Sequence, residues 1–314
     1  MKEFIINQND SGQRIDRFIT KTMPEMPKSM IYRLIRKKDI KINGKRCNGD
    51  TRLNEGDIVR IYAKDSVSGE KQHDMNFLSA SDELEIIFED ENILVVYKPV
   101  GVDSHSNGTG SADTLINRIK RYLYEKGEYM PQNESSFAPA LCSRLDRNTS
   151  GLVTSAKNAL ALREINSAIR EGQVNKKYRC IVTAKPPKNS DILTAWHFRD
   201  EGRNIVRISD EEKDGYKQIR TGYKIIGEIK KMYILEITLY TGRTHQIRAH
   251  LAHIGCHVLG DGKYGDISVN KRYGVFRQAL CAYSLKFSFP DDSELHYLNE
   301  TEIKLPEKLL TFSI

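Results

Sequence analysis

The densest polar run in the chain is Cys142-Ser143-Arg144-Leu145-Asp146-Arg147-Asn148-Thr149-Ser150-Gly151. One carboxylate stands between two arginines, at the mouth of a turn built from Asn, Thr, Ser and Gly. Two adjacent cations favour the ionised form of Asp146, which suits a nucleophile or a base better than an acid. The same residues also fit a salt-bridged aspartate in an Asx-type turn, because structural ion pairs perturb carboxylates too. A second run, Thr241-Gly242-Arg243-Thr244-His245-Gln246-Ile247-Arg248-Ala249-His250-Leu251-Ala252-His253-Ile254-Gly255, reads as a short helix. Thr244 is its expected N-cap and Gly255 its stop. Ile247, Leu251 and Ile254 form the packing stripe, and Arg248 lies off it. Arg243 precedes the helix start, where outward backbone N–H groups add to its charge and favour an anion. His245, His250, His253 and His257 raise the question of a metal. The helix ends at Gly255, no HExxH occurs and no carboxylate lies in the run, so no metal is expected.

Two weaker elements accompany these. Tyr97-Lys98-Pro99-Val100-Gly101-Val102-Asp103-Ser104-His105 reads as a strand ending in a Pro/Gly turn, and Lys176-Lys177-Tyr178-Arg179-Cys180-Ile181-Val182 as a strand opening on basic and aromatic residues. Taken alone, Tyr178 fits an ordinary core position. The elements that must position these residues are mostly strands. They are expected at 84–88, 93–97, 152–155, 177–184, 192–198, 204–208, 217–226, 232–240 and 279–289, with helices at 112–126, 157–170 and 244–254. Long strand runs with interspersed helices predict an α+β fold on a mixed, mainly antiparallel sheet. Neither GxGxxG nor GxxxxGK[ST] occurs, so no nucleotide cofactor is expected.

Charge separates the front of the chain from the rest. The protein has 314 residues and a net charge of +7. Residues 1–64 hold 15 Lys/Arg against 8 Asp/Glu, leaving 34 against 34 in the remainder. The excess therefore sits in a small basic module, and a concentrated cationic module points to a polyanion, nucleic acid before an acidic membrane surface. Within it a first helix is expected from about Gly12 to Thr20, and Pro24 and Pro27 break the chain. Ser29 is the expected cap of a second helix running to about Lys38. At about 100° per residue, Ile31, Leu34 and Ile35 share one face while Arg33, Arg36 and Lys37 share the opposite one. Ile40-Lys41-Ile42-Asn43-Gly44-Lys45-Arg46 is a hairpin signal, with Asn43-Gly44 as a type I′ turn, and Ile58–Tyr62 is a further strand. Residues 65–82 are polar without a period and are expected to be a linker.

No apolar run approaches the roughly 18 residues of a membrane span, and the start lacks the pattern of a secretory signal. The five cysteines are odd in number, widely spaced and without a CxxC pair. They are expected to be reduced thiols of a cytoplasmic protein.

In order and spacing, RIDRFI…PKSMIYRLIRKKDIKINGKR…LNEGDIVRIY over residues 12–62 resembles the S-four RNA-binding domain. Residues 84–290 resemble the RluA-type (ribosomal large-subunit) pseudouridine synthases. The strings are KPxG, RLDxxTSGL, KxY and GRTHQIRxH, then GDxKYG at Gly260, Asp261, Lys263, Tyr264 and Gly265. The resemblance implies an S-four-like domain at 1–64, a linker at 65–82 and a catalytic domain at 83–314. It implies an isomerase that breaks the N1–C1′ bond of a uridine, rotates the base and rejoins it through ring carbon 5, without cofactor or metal. The target must leave its stack, because a duplex hides the glycosidic carbon. By resemblance Asp146 is the nucleophilic aspartate, Tyr178 packs on the flipped uracil and Arg248 pairs with the carboxylate. Arg144 enters the RNA stack and Arg243 shapes that corner. Arg33, Arg36, Lys37 and Lys45 are expected to grip RNA through its backbone. Ser143 stands where many relatives have His, and Asn148 and Asp103 also depart from the pattern. Large-subunit (23S) ribosomal RNA is the expected partner, with transfer RNA as the alternative; no membrane partner is expected, and the default state is a monomer. A non-catalytic RNA-binding assembly factor on the same fold would have lost Asp146, Tyr178 or Arg248, and all three are present.

Overall fold

The computed structural model describes residues 1–63, 75–106, 111–310 and 312. The N-terminal unit consists of β1 (Lys2–Ile5), α1 (Ile15–Thr22), α2 (Lys28–Lys37), β2 (Ile40–Ile42), β3 (Lys45–Arg46) and β4 (Ile58–Ile61). Its sheet runs β1-β4-β2-β3, all antiparallel. Phe18, Ile19, Ile31 and Leu34 bury the apolar faces of the two helices against Ile40, Val59 and Ile61. Burying each of these side chains stabilises by roughly 1.5–3 kcal/mol before the cost of ordering it. The opposite face of α2 leaves Arg33, Arg36 and Lys37 exposed, and Lys45 is exposed on the hairpin. Asn43 and Gly44 adopt φ +51° and +76°, the I′ pair the hairpin needs.

One local expectation changes, and one strand is added. Helix α2 is capped by Pro27 with no side-chain bond, and Ser29 is already inside it. The Pro27 carbonyl accepts from Met30 and Ile31, and proline's fixed φ prepares the helix start. Strand β1, whose four residues alternate too briefly to announce themselves, completes the sheet by pairing with β4.

The larger unit follows as β5 (Glu85–Glu89), β6 (Ile93–Lys98), α3 (Leu115–Glu125), β7 (Ala140–Leu141), β8 (Ser150–Ala156), α4 (Ala159–Arg170) and β9 (Val174–Val182). It continues with β10 (Ser190–Asp200), β11 (Ile205–Ser209), β12 (Lys217–Ile229), β13 (Met232–Leu239), α5 (Gln246–His253), α6 (Ile267–Tyr273), β14 (Leu280–Phe287) and β15 (Glu302–Lys304). One long sheet runs β11-β10-β12-β13-β9-β14-β8-β6-β5, with β15 on β14 and β7 on β8. Among the strands of the described residues, β14 and β8 alone pair in parallel, beside one isolated parallel bridge between Asp103 and Thr114; the fold is α+β on a mixed, mainly antiparallel sheet. Gly151 enables that pairing. It has φ +118°, and a Cβ there would lie 2.2 Å from the Ala282 carbonyl oxygen.

Of the expected linker, residues 65–74 lie outside the described residues. Asn76–Ser79 form a short 3₁₀ turn that buries Phe77 against α3, its ring 5.7 Å from that of Tyr124 and 6.0 Å from that of Tyr129. The two units also meet directly. The Asn9 side chain accepts the Ala159 N–H at the start of α4 and donates to Glu134, while Ser136 donates its N–H and hydroxyl to the buried carboxylate of Asp10. No helix among the described residues is long and apolar enough to cross a membrane.

Candidate active site

The site forms around the N-terminal end of β14. On one side β8 leads out of the loop carrying Asp146; on the other, β9 carries Tyr178. Ala282 is the register partner of both Gly151 and Tyr178, so two strand spacings, about 10 Å, separate the loop from the tyrosine. Between them opens a cleft of about 370 Å³. Leu145, Tyr178, Leu239, Ile247 and Leu280 give it an apolar floor, and Arg144, Asp146, Arg243, His245 and Arg248 give it polar walls.

The Asp146 loop is held from behind. The Lys98 ammonium, fully buried at the end of β6, donates to the carbonyls of Pro99, Val102 and Arg147 at 2.8–3.0 Å. Burial lowers its pKa to about 8, which still leaves it charged at neutral pH. The Ser104 hydroxyl donates to the Leu145 carbonyl at 2.8 Å, and the Gly101 N–H to the Arg147 carbonyl at 2.8 Å. Gln278 donates to the Thr149 hydroxyl. The strand-and-turn Tyr97–His105 is therefore the clamp of the loop.

The cation facing Asp146 is not the one its neighbours suggest. Arg147 turns away to donate to the Gly101 carbonyl. Arg144 and Arg243 are exposed on the cleft wall and have no side-chain partner among the described residues. Arg248 on α5 supplies the contact, its Nη1 donating to Asp146 Oδ2 at 2.7 Å. The rest of its fork is occupied by Asp261, with Nε at 2.7 Å and Nη2 at 2.9 Å. Asp261 is 1% exposed and also accepts the N–H groups of Lys263 and Tyr264. Burial raises its pKa, but the Arg248 bonds outweigh that and hold it below the ordinary carboxylate value. Burial likewise opposes the charge on Arg248, and its two carboxylate partners reverse the effect and raise its pKa. A guanidinium braced on a buried carboxylate thus presents one fixed N–H to Asp146.

Helix α5 begins differently from expectation. His245, not Thr244, is its N-cap, at φ +52° and without a side-chain cap bond. Gln246 replaces the missing cap. Its Oε1 accepts from the Arg243 N–H and the Thr241 hydroxyl, and its Nε2 donates to the Arg220 carbonyl and the Thr221 hydroxyl. The left-handed His245 backbone brings its ring to the cleft, with Nε2 at 4.0 Å from Asp146 Oδ2 and Nδ1 at 2.9 Å from the Tyr264 hydroxyl. That hydroxyl meets the ring on one side and accepts the Val206 N–H on the other. Burial depresses the His245 pKa to about 4, and the ring is neutral at pH 7.

The remaining histidines diverge: His250 bonds to Thr221, His253 to Asp210 and His257 to the Tyr264 carbonyl. Among the described residues no cluster of three potential metal ligands forms. Tyr178 is buried, and burial followed by the nearby Asp146 charge raises its hydroxyl pKa. Arg33, Arg36, Lys37 and Lys45 lie apart from the cleft, on the N-terminal unit. Sequence reasoning missed the roles of Lys98, Ser104, Gln246 and Asp261. The string around Asp261 was visible, but its bond to Arg248 was not.

Comparison with known proteins bears on all of this. Residues 92–253 match the RNA pseudouridylate synthase family, and residues 13–59 match the S4 domain. Ribosomal large subunit pseudouridine synthase C of Vibrio parahaemolyticus is 32% identical over 97% of this chain and 94% of its own. An uncharacterized RNA pseudouridine synthase of Mycoplasma capricolum is 33% identical over 96% and 97%. The solved structure of human RNA pseudouridylate synthase domain containing 1 shares the fold, with a TM-score of 0.54 over 72% of this chain and 84% of that one, at 23% identity. With such identity along nearly the whole of both chains, and a family match that takes in Asp146, Tyr178 and Arg248 together, this protein belongs to the RNA pseudouridylate synthase family.

Proposed function

We propose that this protein isomerises uridine to pseudouridine in large-subunit ribosomal RNA, with Asp146, Tyr178 and Arg248 as its catalytic residues. The observation that carries the reading is the Asp146 carboxylate, fixed by one N–H of a braced Arg248 at the edge of an apolar floor that includes Tyr178. The reaction breaks N1–C1′, forms C5–C1′, releases the C5 proton and returns a proton to N1. It is redox-neutral, so a nucleophile, a cation to orient it and a flat surface for the detached base suffice. Asp146 supplies the nucleophile, Arg248 holds it in place, and Tyr178 packs on the uracil while it turns. Arg144 and Arg243, unpaired on the rim, meet the RNA from which the base has been flipped.

Residues 1–64 act as the RNA-gripping module and 83–314 as the catalytic domain, working as a cytoplasmic monomer. Arg33, Arg36, Lys37 and Lys45 track phosphates. The ribosomal target is supported by relatives that carry that substrate in their names. The test is chemical mapping of pseudouridine in large-subunit ribosomal RNA treated with wild-type protein or Asp146→Ala. New pseudouridine with the wild type alone is expected; identical maps would refute the assignment of Asp146.

A further inference from the structure

Beside the cleft lies a second, smaller groove, separated from it by Tyr178 and lined by Ser143, Thr154 and Lys176 above the aliphatic walls of Leu152 and Leu285. Lys176 is two residues before Tyr178 on β9 and therefore on the same face of the strand. Its ammonium has no hydrogen bond or ion pair among the described residues, and neither do the hydroxyls of Ser143 and of Thr154, which is 4% exposed. The titratable neighbour of Lys176 is Cys142, whose thiol burial pushes up to about 12, so it is uncharged and offers no counter-ion. Burial lowers the Lys176 pKa to about 8, and the group is still mostly protonated at pH 7. An ammonium half-withdrawn from water without a partner is costly. Lys177 on the opposite face has a carboxylate partner, Glu236 at 3.3 Å.

We propose that this groove binds an RNA backbone phosphate adjoining the nucleotide packed on Tyr178, with Lys176 as counter-charge and the Ser143 and Thr154 hydroxyls as donors. The inference rests on the RNA-modifying reading above and adds a binding position to it. It also gives Ser143 a use, since its hydroxyl lines the same groove as Lys176.

The test is binding of an in vitro transcript of large-subunit ribosomal RNA across a KCl series, with thermal melting alongside. Lys176→Met should bind about tenfold more weakly at low salt, and the slope of log K against log[KCl] should fall by about 0.7–0.9, one phosphate's worth. Lys176→Arg keeps the charge and should keep the slope. Because the ammonium has no partner among the described residues, Lys176→Met should melt no lower than wild type. An unchanged slope in Lys176→Met, loss of the slope in Lys176→Arg as well, or a melting temperature that falls on removing the ammonium would each overturn the proposal. Pseudouridine mapping of the same transcript by the wild type separates the two readings. Absence of product there defeats the proposed function, whereas product together with an unchanged Lys176→Met slope defeats the phosphate site alone.

Discussion

Replacing Asp261 with Asn isolates what the brace behind Arg248 contributes. The carboxylate accepts four N–H groups, two from Arg248 and one each from Lys263 and Tyr264. An amide of the same shape keeps one oxygen. If that oxygen holds the two backbone groups and Nη2, the NH₂ must face the Nε–H of Arg248, donor against donor. The buried cation keeps Asp146 but loses the other of its two counter-ions, and one N–H loses its acceptor, a loss of roughly 3–5 kcal/mol, equivalent to a fall in Tm of roughly 6–20 °C. Asp146→Asn gives the contrast. It removes the negative charge facing Arg248 from a side chain that is 28% exposed, while its amide oxygen still accepts the Nη1–H, and should cost only about 1 kcal/mol of stability while abolishing turnover. Calorimetric melting and tritium release from RNA labelled at uridine C5 read the two effects. Asp261→Asn should lower kcat at least about tenfold at 25 °C with KM little changed, because Arg248 no longer holds Asp146 in one position. It should also remove a pH dependence. The Asp261 pKa lies below 3.8 in the folded protein, so its contribution is complete above that value and is lost as pH falls through the folded one. A variant that melts within about 2 °C of wild type and turns over normally would refute the reasoning, since each kcal/mol is worth about 2–4 °C.

Arg33, Arg36 and Lys37 stand exposed on one face of α2, unpaired among the described residues, so their joint replacement by Ala should lower the salt slope of RNA binding by about 2–3 without changing Tm. An unchanged slope would place the RNA elsewhere. His245 and His250, both held near pKa 4 by burial, should stay neutral in an NMR titration from pH 8 to about 5. Histidine in the unfolded chain titrates near 6.5, so the stability they contribute is complete above that pH and is lost as pH falls towards 4. A native midpoint above 6 for either ring would contradict the burial that sets it.

Much of this was legible in the chain because it is local. The alternation around Asn43-Gly44 marks its hairpin, and the spacing of Ile31 and Leu34 against Arg33, Arg36 and Lys37 separates the two faces of α2. The two strings around Asp146 and Arg248 announce a site. What was not legible depends on distance along the chain. Adjacent arginines suggest the cation for Asp146, and only the family resemblance points to the bonding one, 102 residues away; no signal ties that arginine to the brace behind it, 13 residues further on. Sequence neighbours point in directions set by their φ and ψ, and no periodicity encodes the turn that sends Arg147 to Gly101. Phe77 shows the same limit: one aromatic in a polar stretch has no period to detect, yet it packs fully against α3.

The place of β14 sets a rule for the order of assembly. Strands β5 to β8 form one block of the sheet and β9 to β13 another, and β14 is the strand hydrogen-bonded to both. It is reached only after residue 280, when the Asp146 loop and Tyr178 have long been synthesised. Until then the two halves of the site belong to separate, open-edged sheets, with exposed strand edges awaiting a partner. Such long-range pairing forms slowly and late. Competence therefore arrives only when β14 has closed the sheet between β8 and β9.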